Sequence, residues 1–207
     1  MSTRLELASV SKTLGAHRVL NKVSLRVSGG EAVGLIGSNG AGKTTLLRIA
    51  AGLVRPDGGS VRYGAARPAL RYFGGEMTLP AEVRVRRWAA LFGRHMDDRR
   101  RIGELSRGNR QLVGLRLVLA DGDVDLLLLD EPWEGLDPAG SDWLTDRLRR
   151  WREQGTALVV SSHRLHDLDC ICTRFVMLQR GRCDPIVEDR RPRLQRLAQA
   201  FGRRPWP

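Results

Sequence analysis

The sequence predicts an α/β fold, in which helices cover both faces of a mostly parallel sheet and a smaller antiparallel sheet comes before it. Two patterns predict this fold. Buried strand segments alternate with amphipathic helical segments through the second half of the chain, which is typical of parallel sheets. Near the N-terminus, two runs of alternating apolar and polar residues flank Gly15, which is typical of an antiparallel hairpin.

Each element follows from apolar periodicity and from turn residues such as those at 55–59. The predicted strands cover residues 5–10, 19–27, 32–36, 60–63, 70–73, 124–129, 157–161 and 174–178. The predicted helices cover residues 42–51, 86–92, 111–120, 139–154 and 165–172. The chain is long enough for a sizeable apolar core, and we divide it into one domain at 1–182 and a basic tail at 183–207.

Composition limits the class of protein. No apolar run approaches the roughly 20 residues that cross a bilayer, and the first residues lack the pattern of a secretory signal. The three cysteines form an odd, sparse set, which favours a reducing compartment and thiols on a helix over a zinc site. We therefore expect a cytoplasmic chain.

The net charge of +12 raises the question of a nucleic-acid or anionic-membrane partner. However, 32 of the 35 basic residues are Arg, a skew that favours a coding bias over selection for a phosphate-binding face. The excess is concentrated at 84–116 and 190–204. We expect no specific nucleic-acid partner.

A glycine-rich loop follows the strand predicted at 32–36 and opens the first predicted helix. Its residues are Gly37, Ser38, Asn39, Gly40, Ala41, Gly42, Lys43, Thr44 and Thr45, which match the phosphate-binding pattern G-x-x-x-x-G-K-[ST]. The glycines let backbone N–H groups approach phosphate oxygens at a helix N-terminus. We expect Lys43 to contact the β- and γ-phosphates of a nucleotide and the Thr44 hydroxyl to ligate Mg²⁺.

Two adjacent carboxylates follow the strand predicted at 124–129. Such a strand end is often simply solvated, but beside a phosphate-binding loop its position becomes meaningful, because ligands of parallel sheets bind at this edge. Asp130 is then placed to hold Mg²⁺ through water, and Glu131 to act as the general base on an attacking water.

Three further segments extend this pattern. Residues 105–111 read Leu-Ser-Arg-Gly-Asn-Arg-Gln. They are similar to the LSGGQ signature of the ATP-binding cassette (ABC) family and the start of the helix that follows it. Arg107 replaces the first Gly of the signature, and Asn109 replaces its Gln. Residues 134–138 resemble the D-loop of that family, and Val159 to His163 resemble its switch segment. Taken singly, the signature segment would read as a helix cap at Ser106, and His163 as an ordinary strand-end histidine. Together with the phosphate loop, the motifs resemble the ABC family over about residues 4–182.

The resemblance implies a P-loop NTPase fold and an ATPase that uses ATP and Mg²⁺. It implies that Lys43, Glu131 and His163 carry the chemistry, and that two copies pair head to tail, so that Ser106 and Gly108 of one copy close over the ATP of the other. It also implies a separate integral membrane permease that the ATPase powers from the inner face of the cell membrane.

Departures from the family pattern matter as well. Leu14 stands where the family usually stacks an aromatic ring on adenine, and Trp133 stands where a small polar residue is usual. The Q-loop glutamine is absent, and Glu76 is the candidate replacement near Mg²⁺. The helical subdomain, at about 80–118, is short for the family. The short helical subdomain predicts export, and the short chain without a Q-loop glutamine resembles the haem exporter ATPase of cytochrome c maturation.

Two alternatives remain open at this point. One is an ABC-type ATPase that acts on nucleic acid or the ribosome, which the basic charge favours. The other is a regulatory subunit that does not hydrolyse ATP, which the changes at Leu14 and in the Q-loop favour, whereas Glu131 and His163 argue against it.

Overall fold

The computed structural model describes residues 2–66, 68–74, 79–163 and 165–185. Its strands are β1 (Thr3–Leu14), β2 (His17–Ser28), β3 (Ala32–Ile36), β4 (Gly58–Tyr63), β5 (Leu70–Phe73), β6 (Leu126–Asp130), β7 (Ala157–Ser161), β8 (Arg174–Gln179) and β9 (Arg182–Pro185). Its helices are α1 (Lys43–Ala50), α2 (Val85–Leu91), α3 (Arg107–Val118), α4 (Pro138–Glu153) and α5 (Leu165–Asp169), with a 3₁₀ turn at Ile102–Glu104.

The N-terminal sheet is antiparallel, as predicted, and has the order β2-β1-β4. Its hairpin turns at Gly15, beside the paired residues Leu14 and His17. Alternate side chains such as Leu5 and Leu7 are buried, as the period-2 pattern requires.

The main sheet has the order β5-β6-β7-β3-β8-β9 and is parallel except for β9, which runs antiparallel to β8. The predicted fold class, an α/β fold with a mostly parallel central sheet, is therefore confirmed. Asp130 and Leu35 both lie opposite Ser161 in the parallel register, so β3, β6 and β7 end at the same edge. The loops that follow these three strands are brought together at this edge.

Apolar residues pack on both faces of the main sheet. Along β6, Leu126 and Leu128 join the cluster that faces α1 and the N-terminal sheet, whereas Leu127 and Leu129 join the cluster that faces α4. A strand buried on both faces is a continuous apolar run, which explains the sequence of β6.

A small helical arm contains α2, the 3₁₀ turn and α3. It has an apolar cluster of its own, formed by Leu79, Val85, Ile102, Leu105 and Val113. Since α3 runs from this cluster to the main core, where Leu115 is buried, it joins the arm to the sheet.

Some boundaries differ from the prediction. Helix α3 begins at Arg107 rather than at 111, because Ser106 caps it and its first turn carries polar residues that the apolar pattern misses. Helix α5 ends at Asp169 rather than at 172, and β9 was not predicted. None of the helices in the described ranges combines the length and apolar character that a bilayer crossing requires.

Candidate functional site

The glycine-rich loop connects β3 to α1 at the shared edge of the sheet. Residues 37–42 form the loop, Lys43, Thr44 and Thr45 form the first turn of α1, and the Ala41 N–H donates to the Ser38 carbonyl (3.1 Å). Gly42, the N-cap residue, has a φ of 102°, a left-handed conformation that residues with a Cβ rarely adopt. The predicted loop residues are therefore contiguous in space.

The N-terminus of α1 suits an anion such as phosphate. No side chain caps it, its first turn holds no acidic residue, and the first N–H groups of any α-helix have no partner within the helix. The Lys43 ammonium, 7% exposed, donates to the carbonyls of Gly37 (2.8 Å) and Ser38 (3.3 Å). A buried positive charge thus lies beside free backbone donors.

Asp130, at the end of β6, is bound by two hydroxyl groups. Thr44 Oγ1 donates to its Oδ2 (2.6 Å) and Ser161 Oγ donates to its Oδ1 (2.6 Å). Asp130 is only 5% exposed, so these bonds stabilise a buried carboxylate and connect the ends of β6 and β7 to α1. Burial raises the pKa of neighbouring Tyr72, and the Asp130 charge adds to this rise, so the phenol stays protonated.

Thr44 and Asp130 also fit a magnesium ion. A hydroxyl and a carboxylate are hard oxygen donors, and proteins commonly hold Mg²⁺ with one or two such groups together with water and phosphate oxygens. No cluster of three His, Cys, Asp or Glu residues suited to a metal occurs among the described residues. Thr44 and Asp130 supply two donors of this kind, so the pair fits an ion whose remaining ligands are water and phosphate oxygens.

Glu131 and His163, which follow two separate predicted strands, are in direct contact. His163 donates its backbone N–H to Glu131 Oε2 (3.1 Å), and its ring Nδ1 lies 2.9 Å from the same oxygen. The other oxygen of the carboxylate, Oε1, lies 3.8 Å from Lys43 Nζ. His163 therefore fixes one oxygen of Glu131, and the other faces Lys43.

The backbone at Glu131 is held in an uncommon conformation. Its φ is 48°, in the left-handed region, and its N–H donates to both the carbonyl (3.2 Å) and the hydroxyl (3.0 Å) of Ser161. Ser161 thus supports both carboxylate residues, a role that we did not assign from the sequence. A polar side chain at the end of a buried strand was the available signal.

The signature residues lie beside the turn that follows Glu131. Ser106 Oγ accepts the N–H of Asn109 (3.2 Å) at the start of α3. A Cβ at Gly108 would lie 2.0 Å from the Gly135 carbonyl oxygen, so this close approach requires glycine. Ser106 and Gly108 therefore belong to a surface formed by α3 and the turn.

Comparison with known sequences identifies the family. A sequence model described as ABC transporter matches residues 20–134, which is more than half of the chain. The chain belongs to the ABC transporter family. The relatives are ATP-binding proteins of ABC transporters. The predicted family, that of ABC transporter ATP-binding subunits, and the predicted enzyme class, an ATPase, are therefore confirmed.

Individual relatives support the same family. The Nod factor export ATP-binding protein I of Rhizobium sp. (strain N33) is 31% identical over 86% of this chain and 68% of its own length. The ribose import ATP-binding protein RbsA of Pseudomonas putida is 32% identical over 97% of this chain, which spans only 46% of that relative. A solved ATP-binding subunit of an ABC transporter superposes with a TM-score of 0.75 at 26% identity and covers 96% of this chain and 93% of its own.

The relatives leave the direction of transport open, because one is named for export and another for import. Export and the resemblance to the haem exporter therefore stay predictions. The division into a domain at 1–182 and a tail at 183–207 also stays a prediction. Glu76, the candidate for the Q-loop position of the ABC family, lies outside the described residues.

Two departures from the ABC pattern have defined positions. Leu14 is 49% exposed at the hairpin end of β1, where it offers an aliphatic surface instead of an aromatic ring. Trp133 is fully buried in the cluster facing α4, and its Nε1 donates to Thr145 Oγ1 (3.2 Å). Trp133 thus anchors the turn after Glu131 to α4, which accounts for a large residue at that position.

Proposed function

We propose that this chain binds ATP with Mg²⁺ and hydrolyses it as a head-to-tail homodimer that powers a separate membrane permease. One observation supports the chemical part of the proposal most directly. Lys43, the Thr44–Asp130 pair and the Glu131–His163 pair converge at one edge of the sheet, around the N-terminus of α1. Each pair has the chemistry that one part of ATP hydrolysis requires.

The phosphate-binding part rests on α1 and its loop. The free N–H groups of the first turn would donate to phosphate oxygens, and Lys43 would exchange its carbonyl partners, Gly37 and Ser38, for the β- and γ-phosphates. Thr44 would ligate Mg²⁺ directly and Asp130 through water. The ion would neutralise charge on the terminal phosphates during transfer to water.

The hydrolytic part rests on Glu131. A carboxylate within reach of an attacking water accepts its proton and so raises its nucleophilicity. Contact with His163 leaves Oε1 as the oxygen nearer to Lys43, and therefore nearer to the phosphate site. We assign Oε1 as the base, and His163 as the group that orients the carboxylate.

The dimer and the permease complete the proposal. Ser106 and Asn109 are exposed at the start of α3, where Ser106 and Gly108 would contact the phosphates that the second copy binds. The permease would place the ATPase on the cytoplasmic face of the membrane. We further propose that transport is outward, on the basis of the short helical arm predicted from the sequence.

The test replaces Glu131 with Gln, and Glu153→Gln is the matched control because Glu153 is exposed at the end of α4. We expect Glu131→Gln to lose about 100-fold or more of its phosphate release, while it still binds Mg²⁺-ATP and becomes dimeric with ATP in light scattering. The control should match the parent. Normal turnover in Glu131→Gln would reject the assigned base.

The transport part needs its own experiment. A tagged parent chain, extracted from membranes in mild detergent, is expected to retain an integral membrane protein whose sequence has several apolar segments of about 20 residues. ATP-dependent transport by the reconstituted pair would support the role. A chain that hydrolyses ATP, binds nucleic acid with a steep salt dependence and retains no membrane protein would favour the nucleic-acid alternative instead.

A further inference from the structure

A buried amide connects α3 to the turn that carries Glu131. Gln111, which lies one helical turn after the signature residues, is 8% exposed, and its Nε2 donates to the carbonyls of Glu131 (3.2 Å) and Pro132 (3.0 Å). Because both partners are carbonyl oxygens, they require the NH₂ end of the amide, which defines its orientation. The NH₂ group thus donates to two carbonyls of the same turn.

This turn depends on outside support. Its first residue, Glu131, has a φ of 48°, a left-handed conformation that is strained in an L-residue and persists only where surrounding contacts hold it. Ser161 holds the N–H side of Glu131, and Gln111 holds the C=O side. Ser161 and Gln111 therefore bind the two peptide groups on either side of the Glu131 Cα.

Two more contacts connect the same pair of segments. The Gly108 backbone packs directly against Gly135, and Arg107 Nη2 forms an ion pair with Glu134 Oε1 (3.0 Å). The ion pair is exposed and therefore weak, whereas the amide contact is buried and bidentate. Of the three, Gln111 is the contact that reaches the backbone of Glu131 itself.

We propose that Gln111 is a positioning residue, which fixes the Glu131 peptide to α3 and so keeps the carboxylate beside His163 and Lys43. The inference rests on the proposed function, because it concerns how the proposed base is held. Among the described residues, the Gln111 side chain donates to the Glu131 and Pro132 carbonyls and not to Lys43 or the glycine-rich loop, so it acts through the backbone of this turn. Its removal should therefore slow hydrolysis without weakening nucleotide binding.

Two variants separate this role from general packing. Gln111→Met has nearly the same shape but donates no hydrogen bond. Gln111→Glu presents oxygen to the two carbonyls and can donate a single hydrogen bond only when its carboxyl is protonated. Gln154→Met is the matched control, because Gln154 is exposed at the C-terminus of α4.

We expect Gln111→Met to lower kcat on the order of 10- to 100-fold, because small displacements of a catalytic group have effects of this size. Its dissociation constant for Mg²⁺-ATP, measured by calorimetry, should stay within about twofold of the parent value. Gln154→Met should match the parent in both. Thermal unfolding of each variant establishes that it is folded at the assay temperature.

The Glu variant provides a test that does not depend on the Met variant. Burial beside carbonyl oxygens raises the pKa of the introduced carboxyl, so it gains a donor hydrogen as the pH falls through that raised value. The kcat of Gln111→Glu, divided by that of the parent at the same pH, should therefore rise several-fold as the pH falls through that raised pKa. The corresponding ratio for Gln111→Met should stay flat.

The outcomes distinguish the inference from the proposed function. If the parent hydrolyses ATP and folded Gln111→Met keeps the parent kcat, or if the Gln111→Glu ratio is flat across pH, the positioning role is wrong. Equal losses in kcat and in ATP affinity would also overturn it, because they indicate general loosening. If the parent itself hydrolyses no nucleotide, the proposed function fails first.

Discussion

Replacement of Thr44 by Val tests the connection between helix α1, which follows the glycine-rich loop, and the carboxylate at the end of β6. The Thr44 hydroxyl donates one of the two hydrogen bonds that Asp130 accepts from side chains, and Asp130 is 5% exposed. Val keeps the shape and the branching of Thr but has no hydroxyl, and the two residues have similar helix propensities. The substitution therefore removes the hydrogen bond with little change in packing.

The expected loss of stability follows from this geometry. A hydrogen bond to a charged group contributes about 1.5–3 kcal/mol, and here its loss leaves a buried carboxylate oxygen without its donor. For a domain of this size, each kcal/mol shifts the melting temperature by roughly 2–4 °C. Without nucleotide, Thr44→Val should therefore melt about 3–12 °C below the parent.

The same variant should lose its response to magnesium. Val cannot ligate the ion, so the gain in ATP affinity that Mg²⁺ gives the parent should shrink, whereas affinity without Mg²⁺ should change little. Thr44→Ser is the control, because it keeps the hydroxyl and should retain most of both properties. A Val variant with the melting temperature and the magnesium dependence of the parent would refute the reasoning.

Two further predictions concern residues around this site. His163→Ala keeps the backbone N–H that donates to Glu131 but removes the ring. The rate of phosphate release should therefore fall on the order of 10-fold while the affinity for ATP stays unchanged. A parallel fall in ATP affinity would contradict an orienting role. Trp151→Leu removes the buried ring on which Arg71 and Arg147 stack, and both arginines also donate to carbonyls at the end of α3. Urea unfolding should show that the free energy of unfolding falls by about 2–4 kcal/mol. An unchanged midpoint would show that the stack contributes nothing.

Local patterns predicted most of the fold. The apolar run before Asp130 can only be a strand buried on both faces or a helix segment, and its length favours a strand. The register then brings its end beside the glycine-rich loop, because parallel strands end at the same edge of a sheet. The strand depends only on residues that are close in sequence, and its place beside the loop then follows from the general geometry of parallel sheets.

Contacts between distant residues could not be predicted in this way. Nothing in the periodicity indicates that Gln111 donates to the Glu131 carbonyl or that Ser161 binds Asp130, since these residues meet only after α3 and β7 have packed on the sheet. Strand β9 was missed because it is short, polar and ends in Pro185, which together resemble a loop. The support around the site is therefore a property of the tertiary structure.

The proposed ATPase requires Lys43 and the N-terminus of α1 to bind the phosphates of ATP. Isothermal calorimetry with ATP and Mg²⁺ tests this most directly, with Lys43→Ala as the variant and Lys22→Ala, at an exposed position of β2, as the matched control. The parent and the control should bind ATP in a magnesium-dependent manner, and Lys43→Ala should bind roughly 10- to 150-fold more weakly, which corresponds to the loss of a charged hydrogen bond. A parent without magnesium-dependent affinity for any nucleotide, or a Lys43→Ala variant that binds as tightly as the parent, would contradict the account.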